Sequence, residues 1–216
     1  MTALMEQLLA APTLPETVSQ LNAALQAERQ RRARFYAEIT PDMKAEFING
    51  DFIMHSPATY EHNVIRGYIE KLLSTHVDML GLGAITSEKA LCVFPRNDYE
   101  PDVVFFGPEK AARLKRKTLK HPIPDFACEI LSDSTEKRDR GVKFQDYEAH
   151  GVREYWIVNH DRRELEQYVA EKGRYTLRMK SRTGEVASTA IKGFRAPLAA
   201  FFDAKANLAA LRKLLG

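Results

Sequence analysis

Two short apolar runs in this chain carry acids where a strand would bury them. Pro101-Asp102 opens Val103-Val104-Phe105-Phe106, and Asp125-Phe126-Ala127-Cys128-Glu129-Ile130-Leu131 holds Glu129 in its interior. Runs rich in β-branched and aromatic residues suit a pleated, packed surface. An ionised carboxylate on such a surface must be paired or must hold a metal. Side chains alternate across a strand, so Asp102 shares a face with Val104 and Phe106, and Glu129 shares one with Ala127 and Leu131. If the two strands are neighbours, both carboxylates converge on one side and are able to hold one divalent cation between them.

The rest of the pattern supplies the frame. Glu46-Phe47-Ile48 and Asp51-Phe52-Ile53-Met54 flank Asn49-Gly50, a hairpin signal because both turn residues need positive φ. An apolar stripe of Val64, Ile65, Tyr68, Ile69, Leu72 and Leu73 predicts a helix over 58–79, stopped at 81–83. Strands are expected at 84–87, 90–95 and 102–106, then a basic helix over 108–116 and a strand at 125–131. Ser134 or Thr135 is placed to cap a helix reaching His150, with Gly151 as its stop. Further strands are expected at 155–158, 165–169, 175–179 and near 186–191, and a last helix at about 204–215. Strands followed by a strand–helix–strand unit predict an α/β (α+β) fold, a mixed sheet with flanking helices.

Residues 1–38 differ in kind. Val18, Leu21, Leu25 and Phe35 mark one side of a helix whose other side carries Gln, Glu and Arg. This extension either packs on its own domain or joins a partner, a homodimer being the simplest. The N-terminal apolar stretch is interrupted by Glu6 and lacks a basic lead, so no signal sequence is expected. No run of about 20 apolar residues predicts a membrane span.

The net charge of +3 does not by itself imply nucleic acid. Its distribution is more telling. Lys110, Arg113, Lys115, Arg116, Lys117 and Lys120 form one cluster, and Lys137, Arg138, Arg140 and Lys143 another; they are either solvated faces or a phosphate-tracking surface. Cys92 and Cys128 sit in apolar runs and read as small buried hydrophobes, which points to a reducing, cytoplasmic setting. Tyr155 and Trp156 read as core strand residues. The histidines show no zinc-type spacing. No phosphate-cradling glycine run and no nucleophile elbow is present, which removes the common nucleotide-binding and serine-hydrolase folds.

Mg²⁺ or Mn²⁺ would suit two or three carboxylates completed by waters and a substrate phosphate. Sheet-based nucleases usually carry Asp-x(n)-Glu-x-Lys. Here the residue two beyond Glu129 is Leu131, so the cation must come from elsewhere. Lys143 on the following helix is the best candidate. Asp139 and Tyr147 lie one turn to either side of it on the same face, and an Asp139–Lys143 surface pair is the simpler alternative.

Glu46-Phe-Ile-Asn-Gly, His55-Ser-Pro, His62, Asn97-Asp-Tyr-Glu-Pro-Asp102, Pro124-Asp-Phe-Ala-Cys-Glu-Ile-Leu-Ser132, Asp139-Arg-Gly-Val-Lys143, Tyr147 and Glu154-Tyr-Trp-Ile-Val158 together resemble the Uma2 family of restriction-endonuclease-like proteins (domain of unknown function 820). The resemblance covers about 40–203. It implies a PD-(D/E)XK nuclease-like domain over 39–216 behind the helical extension 1–38. It also implies Glu46, Asp102 and Glu129 as metal-binding acids and Lys143 as the displaced lysine. His62, Lys89 and Tyr147 are expected near the substrate. The activity implied is Mg²⁺-dependent endonucleolytic hydrolysis of DNA. Leu131 leaves room for a catalytically weak nucleic-acid-binding or regulatory module on the same fold, and residues 1–38 for an oligomeric scaffold.

Overall fold

The computed structural model describes residues 3–216. It opens with α1 (Ala3–Ala10) and a long helix, α2 (Leu14–Glu38). Next come the hairpin β1 (Ala45–Ile48) and β2 (Asp51–Met54), then α3 (Tyr60–Leu80). Asn49 and Gly50 both take positive φ, 51° and 93°, as the Asn-Gly signal requires. Thr59 caps α3 by accepting from the His62 N–H.

Strands β3 (Ala84–Ser87), β4 (Leu91–Val93), β5 (Asp98–Tyr99) and β6 (Val103–Phe106) follow. The predicted basic helix over 108–116 shrinks to one turn, α4 (Pro108–Ala111). Beyond it the Lys115 N–H is taken by the Thr118 hydroxyl, which closes a turn, and like charges three and four residues apart, Arg113 with Arg116 and Lys117, oppose a longer helix. The short β7 (Lys120–His121) leads to β8 (Phe126–Ile130).

The helix expected to run from 134 to 150 is broken into α5 (Glu136–Arg138), a π-helical turn (Asp139–Lys143) and α6 (Phe144–Ala149). Thr135 occupies the cap position, but its hydroxyl bonds the Ser132 N–H rather than the helix. The chain ends with β9 (Glu154–Asn159), β10 (Glu164–Glu171), β11 (Arg174–Ser181), β12 (Glu185–Ala187), β13 (Arg195–Pro197), a 3-10 turn (Leu198–Phe201) and α7 (Ala204–Leu215). Residues 188–191 are turn rather than strand, because that segment wraps around the Glu154 carboxylate.

The central sheet has the order β11-β10-β9-β8-β6-β3, and a second sheet runs β2-β1-β5-β4-β7. Every central pairing is antiparallel except β8 with β9, which the helical crossover makes parallel. Alternation divides the central strands between two cores. Val103, Phe105, Phe126, Cys128, Ile130 and Trp156 pack under α3 and the C-terminal elements. Val104, Phe106, Ala127, Leu131, Tyr155 and Ile157 face α6 and the second sheet, against Phe94, Tyr99 and Tyr147. Trp156, Tyr155 and both free cysteines are fully buried, as their apolar surroundings predict.

Among the described residues α2 is anchored from Glu28 onward, where Glu28 pairs with Arg96 and Arg31 donates to the Gly50 carbonyl. Phe35 packs with Ala45, Phe47 and Leu91. Arg32 grips Asp98 with two nitrogens at 2.6 and 2.7 Å and also donates to the Phe94 and Pro95 carbonyls. Val18, Leu21 and Leu25 stand exposed on the rest of the helix. No helix among the described residues is long and apolar enough to cross a membrane.

Candidate active site

The register of β6 against β8, Val103 to Cys128 and Val104 to Ala127, sets Asp102 opposite Glu129 one step further on. Both acids therefore point to the face of the second sheet, and both line an open cleft of about 1020 Å³. Asp102 is buried, and both of its oxygens accept hydrogen bonds. It accepts from the Ile130 N–H at 2.9 Å, from Lys44 Nζ at 3.1 Å and from His62 Nε2 at 3.1 Å. Those three contacts hold its carboxyl well below the usual range, with the imidazole of His62 the largest of them, against the burial that would raise it.

Lys143 is the hub. It is 2% exposed and lies 2.9 Å from Glu46, 2.9 Å from Glu129 and 3.2 Å from Asp139. An Asp139–Lys143 pair does exist, but it is interior rather than on the surface. The π-helical turn between the two residues is the kind of local insertion that re-aims side chains at functional sites. Leu131, in the position where a lysine is usual, joins the apolar core instead.

The three carboxylates around Lys143 are not equivalent. Glu46 also accepts the Glu100 N–H and faces His55 at 3.1 Å, so the lysine and histidine overcome its burial and its carboxyl drops to about 2. Glu129 takes only Lys143 and the Tyr147 hydroxyl. Burial, followed by its acidic neighbours Asp139, Asp102 and Glu46, pushes it up to about 8. Glu100, whose carboxylate accepts the Ala45 N–H, is pushed by burial to about 7. The cleft thus gathers more carboxylates than cations to balance them.

The expected residues separate by position. His62 lines the cleft and is spent on Asp102. Lys89 sits at the rim, where its ammonium donates to the Pro41 and Asp42 carbonyls rather than reaching the acids. Tyr147 and Glu46 are fully buried behind Lys143, and neither lines the cleft. Sequence reasoning gave no role to Lys44, or to His55 and Glu100 although both stand in the motifs that carry the resemblance, and it missed the burial of Asp139. Lys44 had one signal available, since it stands two residues before Glu46 and so on the same pleat face.

Among the described residues no group of three or more His, Cys, Asp and Glu side chains is arranged to hold a metal ion. The donor chemistry fits a sparser site. Asp102 and Glu129 are hard oxygen donors on adjacent strands facing open volume, and Mg²⁺ commonly takes one or two carboxylates with waters and substrate phosphates. Burial and the neighbouring acids raise the Glu129 carboxyl, and a bound cation would oppose both.

Comparison with curated proteins gives no match. A crystal structure from Anabaena variabilis ATCC 29413, described as a "putative nuclease belonging to DUF820", superposes with a TM-score of 0.63 at 17% identity, covering 77% of this chain and 90% of that one. At that identity the match speaks for a shared fold. Residues 30–199 match the model of the Uma2 family, described as "Putative restriction endonuclease". The chain belongs to the Uma2 family and carries its mixed α/β nuclease-type fold.

Proposed function

We propose that the protein is a Mg²⁺-dependent endonuclease, with Mn²⁺ as a substitute, that hydrolyses phosphodiester bonds in DNA. The observation carrying this reading is the pair Asp102 and Glu129, set opposite each other at the floor of an open cleft with a buried lysine against the second acid. Asp102 and Glu129 would hold the metal, which supplies Lewis acidity toward the phosphoryl oxygens. Lys44 and His62 fix Asp102 in its ionised form and orient it. Lys143 offers positive charge to the transition state and to the attacking water. Glu46, walled off from the cleft, positions Lys143 instead of binding metal. Tyr147 orients Glu129 through its hydroxyl, again from behind.

One test needs no substrate. Glu129 and Glu100 hold protons in the folded protein that the unfolded chain releases above about pH 4.5. The stability they contribute is complete below that pH and is lost as pH rises toward 8, at up to ~1.4 kcal/mol per pH unit for each group. Without metal, the urea midpoint should therefore fall between pH 5 and pH 8.5. Millimolar Mg²⁺ should restore it at pH 8.5 but not at pH 5, and Glu129→Gln should abolish the Mg²⁺ effect and leave only the share of the pH dependence that Glu100 carries. A midpoint that ignores Mg²⁺ at every pH would favour a binding or regulatory module on the same fold.

The proposal includes self-association through the exposed side of α2. Leu14, Val18, Leu21 and Leu25 alternate by four and three, and the series continues to the buried Phe35, which is the pattern of a helix–helix seam. Light scattering should show a dimer that becomes a monomer when residues 1–27 are removed. A monomer in both cases would end this part of the proposal.

A further inference from the structure

A nuclease cleft needs cations that are free to meet phosphate, and most of those lining this cleft are already engaged. Lys44 and His62 are held by Asp102, His55 by Glu46, Lys89 by two carbonyls, Lys143 by three acids and His160 by Asp161. Arg138 is the exception among the described residues. It lines the cleft, its Nε is buried without a hydrogen-bond partner, and no carboxylate pairs with it. An arginine held this way forfeits hydrogen bonds that the oxygens of an incoming phosphate would supply. Arg140, two residues on, is by contrast locked between Glu136 and Glu166.

Beside Arg138 stands a cluster of hydroxyls. Ser132, Ser134 and Thr135 also line the cleft, with Ser132 Oγ 3.0 Å from Thr135 Oγ1 and 3.2 Å from Ser134 Oγ. This loop follows directly on the strand that carries Glu129, so its hydroxyls and Arg138 border the same volume as the two acids. The Ser132 and Ser134 hydroxyls and an unpaired guanidinium make a phosphate-binding set, with Thr135 holding the loop and donating to Asp139.

We propose that Arg138, with Ser132 and Ser134, forms a subsite for a non-scissile backbone phosphate of the nucleic-acid substrate. This rests on the nuclease reading for the identity of the substrate, but the anion subsite is testable apart from it. Because Arg138 has no structural partner, Arg138→Gln leaves the unfolding midpoint unchanged and removes the ligand contact alone.

Two probes separate the claims. The first is an oligonucleotide duplex, followed by fluorescence anisotropy over a range of KCl concentrations. Arg138→Gln should weaken binding about tenfold and lower the slope of log K against log[salt] by ~0.9, the value of one lost phosphate contact. Arg138→Lys should recover the slope but not the full affinity, since it keeps the charge and loses the fork. The second probe is inorganic pyrophosphate, followed by titration calorimetry, with the same loss expected in Arg138→Gln. Pyrophosphate binding through Arg138 without duplex binding would keep the subsite and remove nucleic acid as its ligand. Duplex binding that is identical in wild type and Arg138→Gln would overturn the subsite and leave the nuclease reading standing. If neither probe binds, the subsite is overturned.

Discussion

Lys143→Met is expected to cost about 3–5 kcal/mol of stability and to abolish any cleavage. The reason lies in what remains behind. Lys143 alone faces Glu46, Glu129 and Asp139 at 3.2 Å or less, and all four side chains are buried. Replacing a buried charge that has partners leaves those partners uncompensated, which costs more than the pair contributed. Glu46 suffers most. Of the three it is the acid held most firmly ionised, and with Lys143 gone only His55 and the Glu100 N–H support that charge. Urea unfolding at pH 7 measures the loss. Adding Glu46→Gln to Lys143→Met should return part of it, because residues in one network do not act additively. A Lys143→Met protein within 1 kcal/mol of wild type would show that the lysine is not the hub.

Glu154→Ala should have an effect of similar size for a different reason. Glu154 is completely buried, yet no cation pairs with it among the described residues. Its Oε1 accepts from the Trp156 indole at 2.6 Å and from Gln167 at 2.7 Å. Its Oε2 accepts from the Ser188 hydroxyl, the Thr189 hydroxyl and the Thr189 and Ala190 N–H groups at 2.7–3.1 Å. Truncation strands all of these donors, and each buried unsatisfied group costs about 1–3 kcal/mol. Allowing for water entering the space, a loss of ~4 kcal/mol is expected, a large share of the 5–15 kcal/mol typical of a domain. Glu154→Gln keeps one acceptor and should lose roughly half as much. Trp156 is the only tryptophan in the chain, so its emission reports directly on the same site. It should shift to the red in Glu154→Ala well before global unfolding. An unshifted spectrum with full stability would contradict this role for Glu154.

Much of the fold was legible because its signals are local. Asn49-Gly50 requires a tight hairpin, and the stripe through Ile65, Ile69, Leu72 and Leu73 requires an amphipathic helix. The meeting of Asp102 and Glu129 follows from strand parity once their strands are neighbours. Lys143 was reachable through helical spacing from Asp139 and Tyr147. The elements missed are those that tertiary contacts make. Strands β5 and β7 are two residues long and exist only because the second sheet pairs them. The π-helical turn left no mark in the sequence, and its effect is to bring Asp139 inward beside Lys143 instead of leaving it on a solvated face. Glu154 looked like an ordinary strand-start acid, because the donors to its Oε2 come from a turn more than thirty residues away. Lys89 failed in the opposite sense. Its place at the cleft was legible, but the loop carbonyls that take its ammonium were not.

The most direct test of the nuclease centre is cleavage of supercoiled plasmid and single-stranded DNA by the purified protein with Mg²⁺ or Mn²⁺, beside Asp102→Ala and Glu129→Ala. The account predicts metal-dependent nicking or linearisation that chelation stops and that each substitution reduces by at least ~10³-fold. Wild-type protein as inert as both variants, under conditions where it is folded and binds Mg²⁺, would contradict the account and leave the cleft a binding site built on a nuclease fold.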